Sequence, residues 1–294
     1  MRITEMIKPM GKNPVYGFIG LGLMGGAFAI AMRKAGFEGR FLACDTDRRT
    51  LQAAERDGVI DEGFLSPQAM LPRCSFVLLC LPPKSALRFM DAWMPAFKSG
   101  ALITDIAGIK KPVCGHIEKI LRADLDFIPG HPMAGTEKSG YAHARDCGFQ
   151  GRNYILTPLA RNKPENIAFL KDLIRRLGFT RVVETSPAIH DEKIAFTSQL
   201  CHVIAASLID CENDTSITRF GGGSFEDLTR IAILNAPLWT QLFIENSGPL
   251  VRQIEKFETS LSRIKALIAG AQTEKLLETL AAVRDRRTEM AKRG

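Results

Sequence analysis

Residues 131–140 read His-Pro-Met-Ala-Gly-Thr-Glu-Lys-Ser-Gly and gather an imidazole, two hydroxyls, a carboxylate and an ammonium in one short stretch. A neutral imidazole takes a proton near neutral pH, so His131 is the natural candidate for a general base. The bland alternative is a structural histidine beside a proline. The apolar run 125–128 precedes it and reads as a strand that Pro132 and Gly135 forbid from continuing. The stretch is therefore expected as a loop at a strand end, where open α/β sheets place their chemistry.

A second cluster could hold a cofactor. Gly20-Leu21-Gly22-Leu23-Met24-Gly25 is a G-x-G-x-x-G that follows an apolar strand and opens an amphipathic helix. Its glycines permit the turn and let a pyrophosphate approach the helix N-terminus. The motif alone is weak, but Asp45 ends the second strand 20 residues after Gly25. A carboxylate there would accept hydrogen bonds from an adenosine ribose and repel a 2′-phosphate, favouring NAD over NADP. Arg48 and Arg49 work against that preference, and helix capping is the plainer role for Asp45, one that Asp47 could equally fill. The expected cofactor contacts are Gly20, Gly22, Leu23, Met24, Gly25, Asp45, Leu81, Pro82 and Asp105.

These residues need a sheet to align them. Short apolar runs at 15–21, 40–45, 76–81, 101–105 and 125–128 alternate with helical stretches at 24–35, 47–57, 85–97 and 112–121, the rhythm of a doubly wound parallel sheet. Residues 153–157, 166–177 and 181–184 read as its last elements. After Pro187 the rhythm becomes helical. Residues 190–211 are apolar nearly all round, as in a helix buried among helices. Leu250, Ile254, Phe257, Leu261, Ile264 and Ile268 alternate spacings of four and three, an a/d seam that is either a core stripe or a subunit interface. The expected organisation is a flexible basic arm (1–14), a dinucleotide-binding domain (15–186) and a helical substrate and dimerisation domain (187–294).

Composition bounds the function classes. With 294 residues, 46% hydrophobic and 24% charged, the chain can bury two cores. No stretch approaches the roughly 20 apolar residues of a membrane span, and no apolar leader opens the chain, which makes the cytoplasm the default. Residues 1–14 and 284–294 carry +2 and +3 of the net +7, so a nearly neutral body offers no nucleic-acid groove. Seven scattered cysteines without a C-x-x-C pair suit a reducing compartment, and the five histidines lack zinc-like spacing, so no metal is expected.

The chain resembles the prephenate/arogenate dehydrogenase family of tyrosine biosynthesis. Residues 131–140 match that family's His-Pro-x-Ala-Gly-Thr-Glu-x-Ser-Gly loop. Thr104-Asp105 with Lys110 resembles its Thr-Asp-x-x-Ser-x-Lys turn, Ser198 to His202 its Ser-His-x-x-His segment, and Gly223 through Ala232 its glycine turn followed by Thr-Arg-Ile-Ala. The resemblance implies a Rossmann-type domain followed by an all-helical domain, a homodimer, and NAD-dependent oxidative decarboxylation of prephenate or arogenate. It implies that His131 is catalytic, with an acidic limb in kcat/KM around the ordinary imidazole pKa of about 6.5, and that Arg230 grips a substrate carboxylate. A surface ion pair is the plainer role for Arg230. Thr136 and Glu137 would shape the pocket, although Glu137 could simply pair with Lys138 or Arg145. Gln199 and His202 share a helix face; His202 is expected at the substrate, unless it is a core histidine. His190, His116 and His143 rank behind them.

Two positions depart from the family pattern: Gly108 replaces a common serine and Gln199 a common histidine. The competing readings are a 3-hydroxyisobutyrate-type dehydrogenase, which shares the glycine motif but lacks the His131 loop, and a non-catalytic NAD-binding regulator.

Overall fold

Six short strands lie side by side, all parallel, in the order β3-β2-β1-β4-β5-β6: β1 (Val15–Ile19), β2 (Arg40–Cys44), β3 (Glu62–Phe64), β4 (Phe76–Leu79), β5 (Leu102–Asp105) and β6 (Asp126–Ile128). This computed structural model describes residues 13–293, so nearly all of the expected basic arm lies outside the described residues. The order reverses between β1 and β4, which opens a crevice at their carboxyl ends. Successive strand residues face opposite sides. Phe18 and Leu78 enter one core, with Phe28 and Phe169, while Ile19, Val77 and Leu79 enter the other, with Met90 and Ile117. Burial on both faces is why these strands read as continuous apolar runs.

Helices α1 (Leu23–Lys34), α2 (Arg48–Arg56), α3 (Pro83–Trp93) and α4 (Lys111–Ile120) connect the strands. Asp47 caps α2 by accepting from Arg49 N at 2.9 Å, which leaves the cap without need of Asp45. Strand β3 carries no pattern signal: it is three residues long and contains a glycine and a glutamate.

The elements after β6 depart from expectation. Residues 130–132 are not loop but a strand, β7 (Gly130–Pro132), antiparallel to β8 (Asn153–Leu156), which in turn runs parallel to β9 (Arg181–Glu184). These three strands form a separate small sheet instead of extending the large one. Pro132 is tolerated because β7 is an edge strand that ends there. Helix α5 (Pro164–Arg176) links β8 to β9.

The expected long helix over 190–211 is interrupted. Helix α6 (Pro187–Ile194) passes through a π-helical turn, Ala195–Gln199, into α7 (Leu200–Asp210). Phe196 is 53% exposed and Ile209 43%, so the segment is not enclosed by helices of its own chain. Helices α8 (Gly223–Thr229) and α9 (Ala236–Glu245) follow. The chain divides into two compact units, up to Asn246 and from Ser247. The second unit is α10 (Ser247–Ala269) packed on α11 (Thr273–Arg293). Leu261 of the seam is 54% exposed and Ile268 61%, so the seam is not wholly an internal core stripe. No described helix is long and apolar enough to cross a membrane.

Candidate active site

The sheet's carboxyl edge collects most of the residues singled out above. Gly20 turns the chain out of β1 at φ +85°, where an added Cβ would stand 2.7 Å from the Cys80 carbonyl oxygen. A Cβ on Gly25 would fall onto the Gly20 carbonyl, whereas one on Gly22 would meet nothing within 4 Å. The turn is thus tight at its base and open at its tip. Gly22 is the N-cap of α1, no side chain caps the helix, and its first turn holds no acid. Such an N-terminus presents N–H donors and positive dipole to an anion. Asp45, at the end of β2, accepts from Leu21 N at 2.7 Å and Asp47 N at 2.9 Å, so it steadies the glycine turn while remaining half-exposed. A diphosphate fits the open tip, and a ribose fits the carboxylate beside it. Leu81 and Pro82 follow β4 across the crevice, with Leu81 Cδ2 3.0 Å from the Cβ position of Gly20.

Asp105 does something other than expected. Its carboxylate is buried and turned inward. Oδ2 accepts from Lys110 Nζ at 2.7 Å and Ala107 N at 3.0 Å, and Oδ1 from Gly130 N at 3.0 Å. Instead of reaching for a cofactor, it ties the turn after β5 to the start of β7. The fully buried Lys110 ammonium and the Asp105 carboxylate compensate each other.

His131 sits in the middle of β7. Its Nδ1 lies 2.9 Å from His190 Nε2, and His190 Nδ1 lies 2.7 Å from Asp191 Oδ1. Asp191 also accepts from Lys110 N and Lys111 N, both at 2.8 Å. The carboxylate on α6 thereby caps α4 and docks α6 beside the strand that carries His131. Among the described residues, Nε2 of His131 has no hydrogen-bond partner; a Cβ built on Gly108 would lie 3.7 Å from it. Burial, then His190, then the Lys110 ammonium push the pKa of His131 well below the usual histidine value. The imidazole is therefore neutral at neutral pH and able to accept a proton at Nε2.

Gln199 is held at both polar ends: Nε2 donates to the Leu242 carbonyl at 3.0 Å, and Oε1 accepts from Asn246 Nδ2 at 2.7 Å. Its amide fixes the backbone of α9 at Leu242, whose side chain lies 3.3 Å from the Cβ position of Gly108. His202 stacks on Trp239, one turn earlier on α9, with ring centroids 3.6 Å apart and planes at 29°. Its Nδ1 donates to the Ser198 carbonyl at 2.9 Å, which leaves Nε2 as an acceptor. Burial and the nearby Arg230 charge lower its pKa. Arg230 stands 3.4 Å from Glu137 as an exposed pair, its one ion-pair partner among the described residues. Glu137 therefore pairs with neither Lys138 nor Arg145, which take Asp146 and Asp57. Thr136 Oγ1 accepts from Lys138 N at 3.2 Å and shapes the loop's turn.

The pair His190–Asp191 was undervalued from sequence. Its only local signal is a His-Asp step just inside a helix opened by Ser186-Pro187.

A switch-point glycine turn facing an uncapped helix end, with a neutral imidazole on a strand beyond the same sheet edge, defines a dinucleotide-dependent dehydrogenase. The comparisons narrow the class. The model of the prephenate dehydrogenase nucleotide-binding domain matches residues 28–183, and that of the prephenate dehydrogenase dimerization domain matches residues 186–282. The chain belongs to the prephenate dehydrogenase family. It is 31% identical over 270 residues to a cyclohexadienyl dehydrogenase of Zymomonas mobilis, covering 88% of this chain and 90% of that one. It is 28% identical over 274 residues to a prephenate dehydrogenase of Bacillus subtilis, covering 91% and 74%. The crystal structure of prephenate dehydrogenase from A. aeolicus, in complex with hydroxyphenyl propionate and NAD+, superposes with a TM-score of 0.85 at 30% identity, covering 94% of this chain and 98% of that one. Membership of this family displaces the 3-hydroxyisobutyrate-type reading.

Proposed function

We propose that the chain catalyses NAD-dependent oxidative decarboxylation of prephenate or arogenate, giving 4-hydroxyphenylpyruvate or tyrosine, in tyrosine biosynthesis. The observation that carries this reading is the imidazole of His131, engaged at Nδ1 and open at Nε2 beside Gly108. The reaction removes a hydride and the hydroxyl proton from the ring's C–OH group. Release of the ring carboxylate as CO2 then leaves its electron pair in the ring as a phenolate, which takes the proton back to give the phenol, and the aromatic ring that forms supplies the driving force. When bound, NAD+ accepts the hydride.

The chain's own share is to position the ring and move one proton. His131 Nε2 accepts the hydrogen bond of the ring hydroxyl and takes its proton as the C–H bond breaks. Arg230 holds a substrate carboxylate through its two-pronged guanidinium. Its pair with Glu137 is exposed, so exchanging that partner for a substrate costs little. His202, stacked on Trp239, offers a second acceptor next to Arg230. Thr136 and Glu137 set the shape of the loop, and Gln199 acts through the placement of Leu242. Asp45 supports NAD over NADP. The exposed apolar seam on α10 and the dimerization-domain match support a homodimer.

The test is direct. The protein is mixed with NAD+ and either prephenate or arogenate, and NADH absorbance is followed. NADH formation with one of them is expected; none with either would refute the assignment.

A further inference from the structure

The contacts around His131 form a chain of three titratable groups in which each link has a direction. Asp191 Oδ1 faces Lys110 N and His190 Nδ1, and Oδ2 faces Lys111 N. A carboxylate only accepts, so His190 must carry its proton on Nδ1. With Nδ1 of neutral His190 protonated, its Nε2 is a lone pair, and the hydrogen of the 2.9 Å contact must come from His131 Nδ1. Neutral His131 then has no proton on Nε2, the nitrogen beside Gly108. The tautomer a base needs is thus dictated two residues away.

We propose that His190 is the positioning residue of His131 and the second station for the proton it removes; this rests on the dehydrogenase reading above. When Nε2 of His131 takes a proton, the bond from Nδ1 to its hydrogen breaks and that hydrogen bonds to Nε2 of His190. His131 ends neutral with its proton on Nε2, and His190 ends as an imidazolium whose Nδ1–H still points at Asp191. One proton enters the pair, none is lost, and no electrons change hands. The positive charge moves away from the reacting ring and onto His190, whose Nδ1 lies 2.7 Å from the Asp191 carboxylate.

The surrounding charges suit this role. Among the described residues, the charges that act on the two rings are those of Lys110, Asp105 and Asp191. The Lys110 ammonium is neutralised at 2.7 Å by Asp105, which leaves Asp191 as the charge in direct contact with the pair. Burial and the Lys110 charge hold His190 below the usual histidine pKa while Asp191 pulls the other way, so at rest both rings are neutral and the relay is empty. The arrangement follows the logic by which a carboxylate orients a catalytic histidine in hydrolases, with one imidazole added between them.

The test has two arms. Nitrogen-15 NMR of histidine-labelled protein, without substrate, reads the tautomers; Nδ1–H is expected at both His131 and His190. Steady-state kinetics of His190→Gln, whose amide oxygen can still accept from His131 but cannot pass a proton on, should show KM for substrate and for NAD+ within about twofold. Its kcat should fall about 10–100-fold, the scale on which a histidine's orienting partner matters. An Nε2–H tautomer at His131 in the unmodified protein overturns the inference, as does His190→Gln turning over at the unmodified rate. If the unmodified protein forms no NADH from prephenate or arogenate, the reaction is misassigned, and the tautomers still test the positioning role alone.

Discussion

A Cβ built on Gly108 would stand 3.7 Å from Nε2 of His131 and 3.3 Å from a methyl of Leu242. The position where many family members carry a serine thus adjoins the proposed base, and in this chain a leucine side chain leans into the room. In Gly108→Ser the Leu242 methyl need give only a few tenths of an ångström, and the hydroxyl would reach the ring hydroxyl of the substrate. One added hydrogen bond is worth about 0.5–1.5 kcal/mol, so KM for the substrate should fall about 2–10-fold with kcat little changed. Steady-state kinetics checks this; a raised KM would show that Leu242 does not yield.

Asp45 accepts from Leu21 N, and the proposed ribose site adds a second duty. Asp45→Ser should raise KM for NAD+ about tenfold, the worth of about one hydrogen bond to a charged group. It should also improve NADP+ relative to NAD+, because the charge that repels a 2′-phosphate is gone. Initial rates with both cofactors read the ratio. Unmodified protein that already prefers NADP+ would assign the preference to Arg48 or Arg49.

Among the described residues the one ion pair of Arg230 is exposed, so its loss should leave the melting temperature unchanged. Its loss to substrate should be large. Arg230→Ala is expected to raise KM for prephenate or arogenate about 10–100-fold, as for a charged hydrogen bond worth about 1.5–3 kcal/mol, with KM for NAD+ unaltered. Arg230→Lys should recover only part, since an ammonium cannot reproduce the fork. A lowered melting point with normal KM would make the pair structural.

How much of this was legible in the sequence depends on length and pattern. The strands at 15–19, 40–44, 76–79, 102–105 and 126–128 and the glycine turn are visible because a doubly covered sheet demands unbroken apolar runs. β3 and β7 escape because three residues containing glycine, glutamate, histidine and proline carry no periodicity. The small sheet of β7, β8 and β9 was folded into the large one because periodicity reports strands, not their partners. His131 was visible through its motif; His190 was not. Its importance lies in a contact across 59 positions, and the adjacent Asp191 reads as an ordinary helix residue until its carboxylate is seen capping α4. Asp105 stands among the expected cofactor contacts, but only burial distinguishes an acid that faces in from one that faces out, and sequence does not report it.

The seam on α10 leaves Leu261 and Ile268 more than half exposed, and Leu280 on α11 is 51% exposed. Apolar surface of this kind needs a partner. Light scattering at low concentration should give the mass of a dimer. Leu261→Asp combined with Ile268→Asp should give a monomer, since each places a charge where the partner's apolar surface would lie. A monomeric unmodified protein would mean that this face is covered in some other way.

The pH dependence of kcat/KM in the unmodified protein and in His131→Asn tests the central claim most directly. With His131 as the proposed base, only its neutral form accepts the hydroxyl proton, so activity should fall as pH drops through its pKa in the free enzyme. Burial, His190 and Lys110 place that pKa below the ordinary histidine value, so the acidic limb should lie below about 6.5, correcting the position that the sequence suggests. Asn keeps polarity but is no base. His131→Asn should bind NAD+ normally, lose about 10²–10⁴ in kcat, the usual worth of a positioned base, and lose the acidic limb as well. Near-normal kcat in His131→Asn with the same acidic limb would contradict the account and move the base elsewhere, with His202 the next group to test.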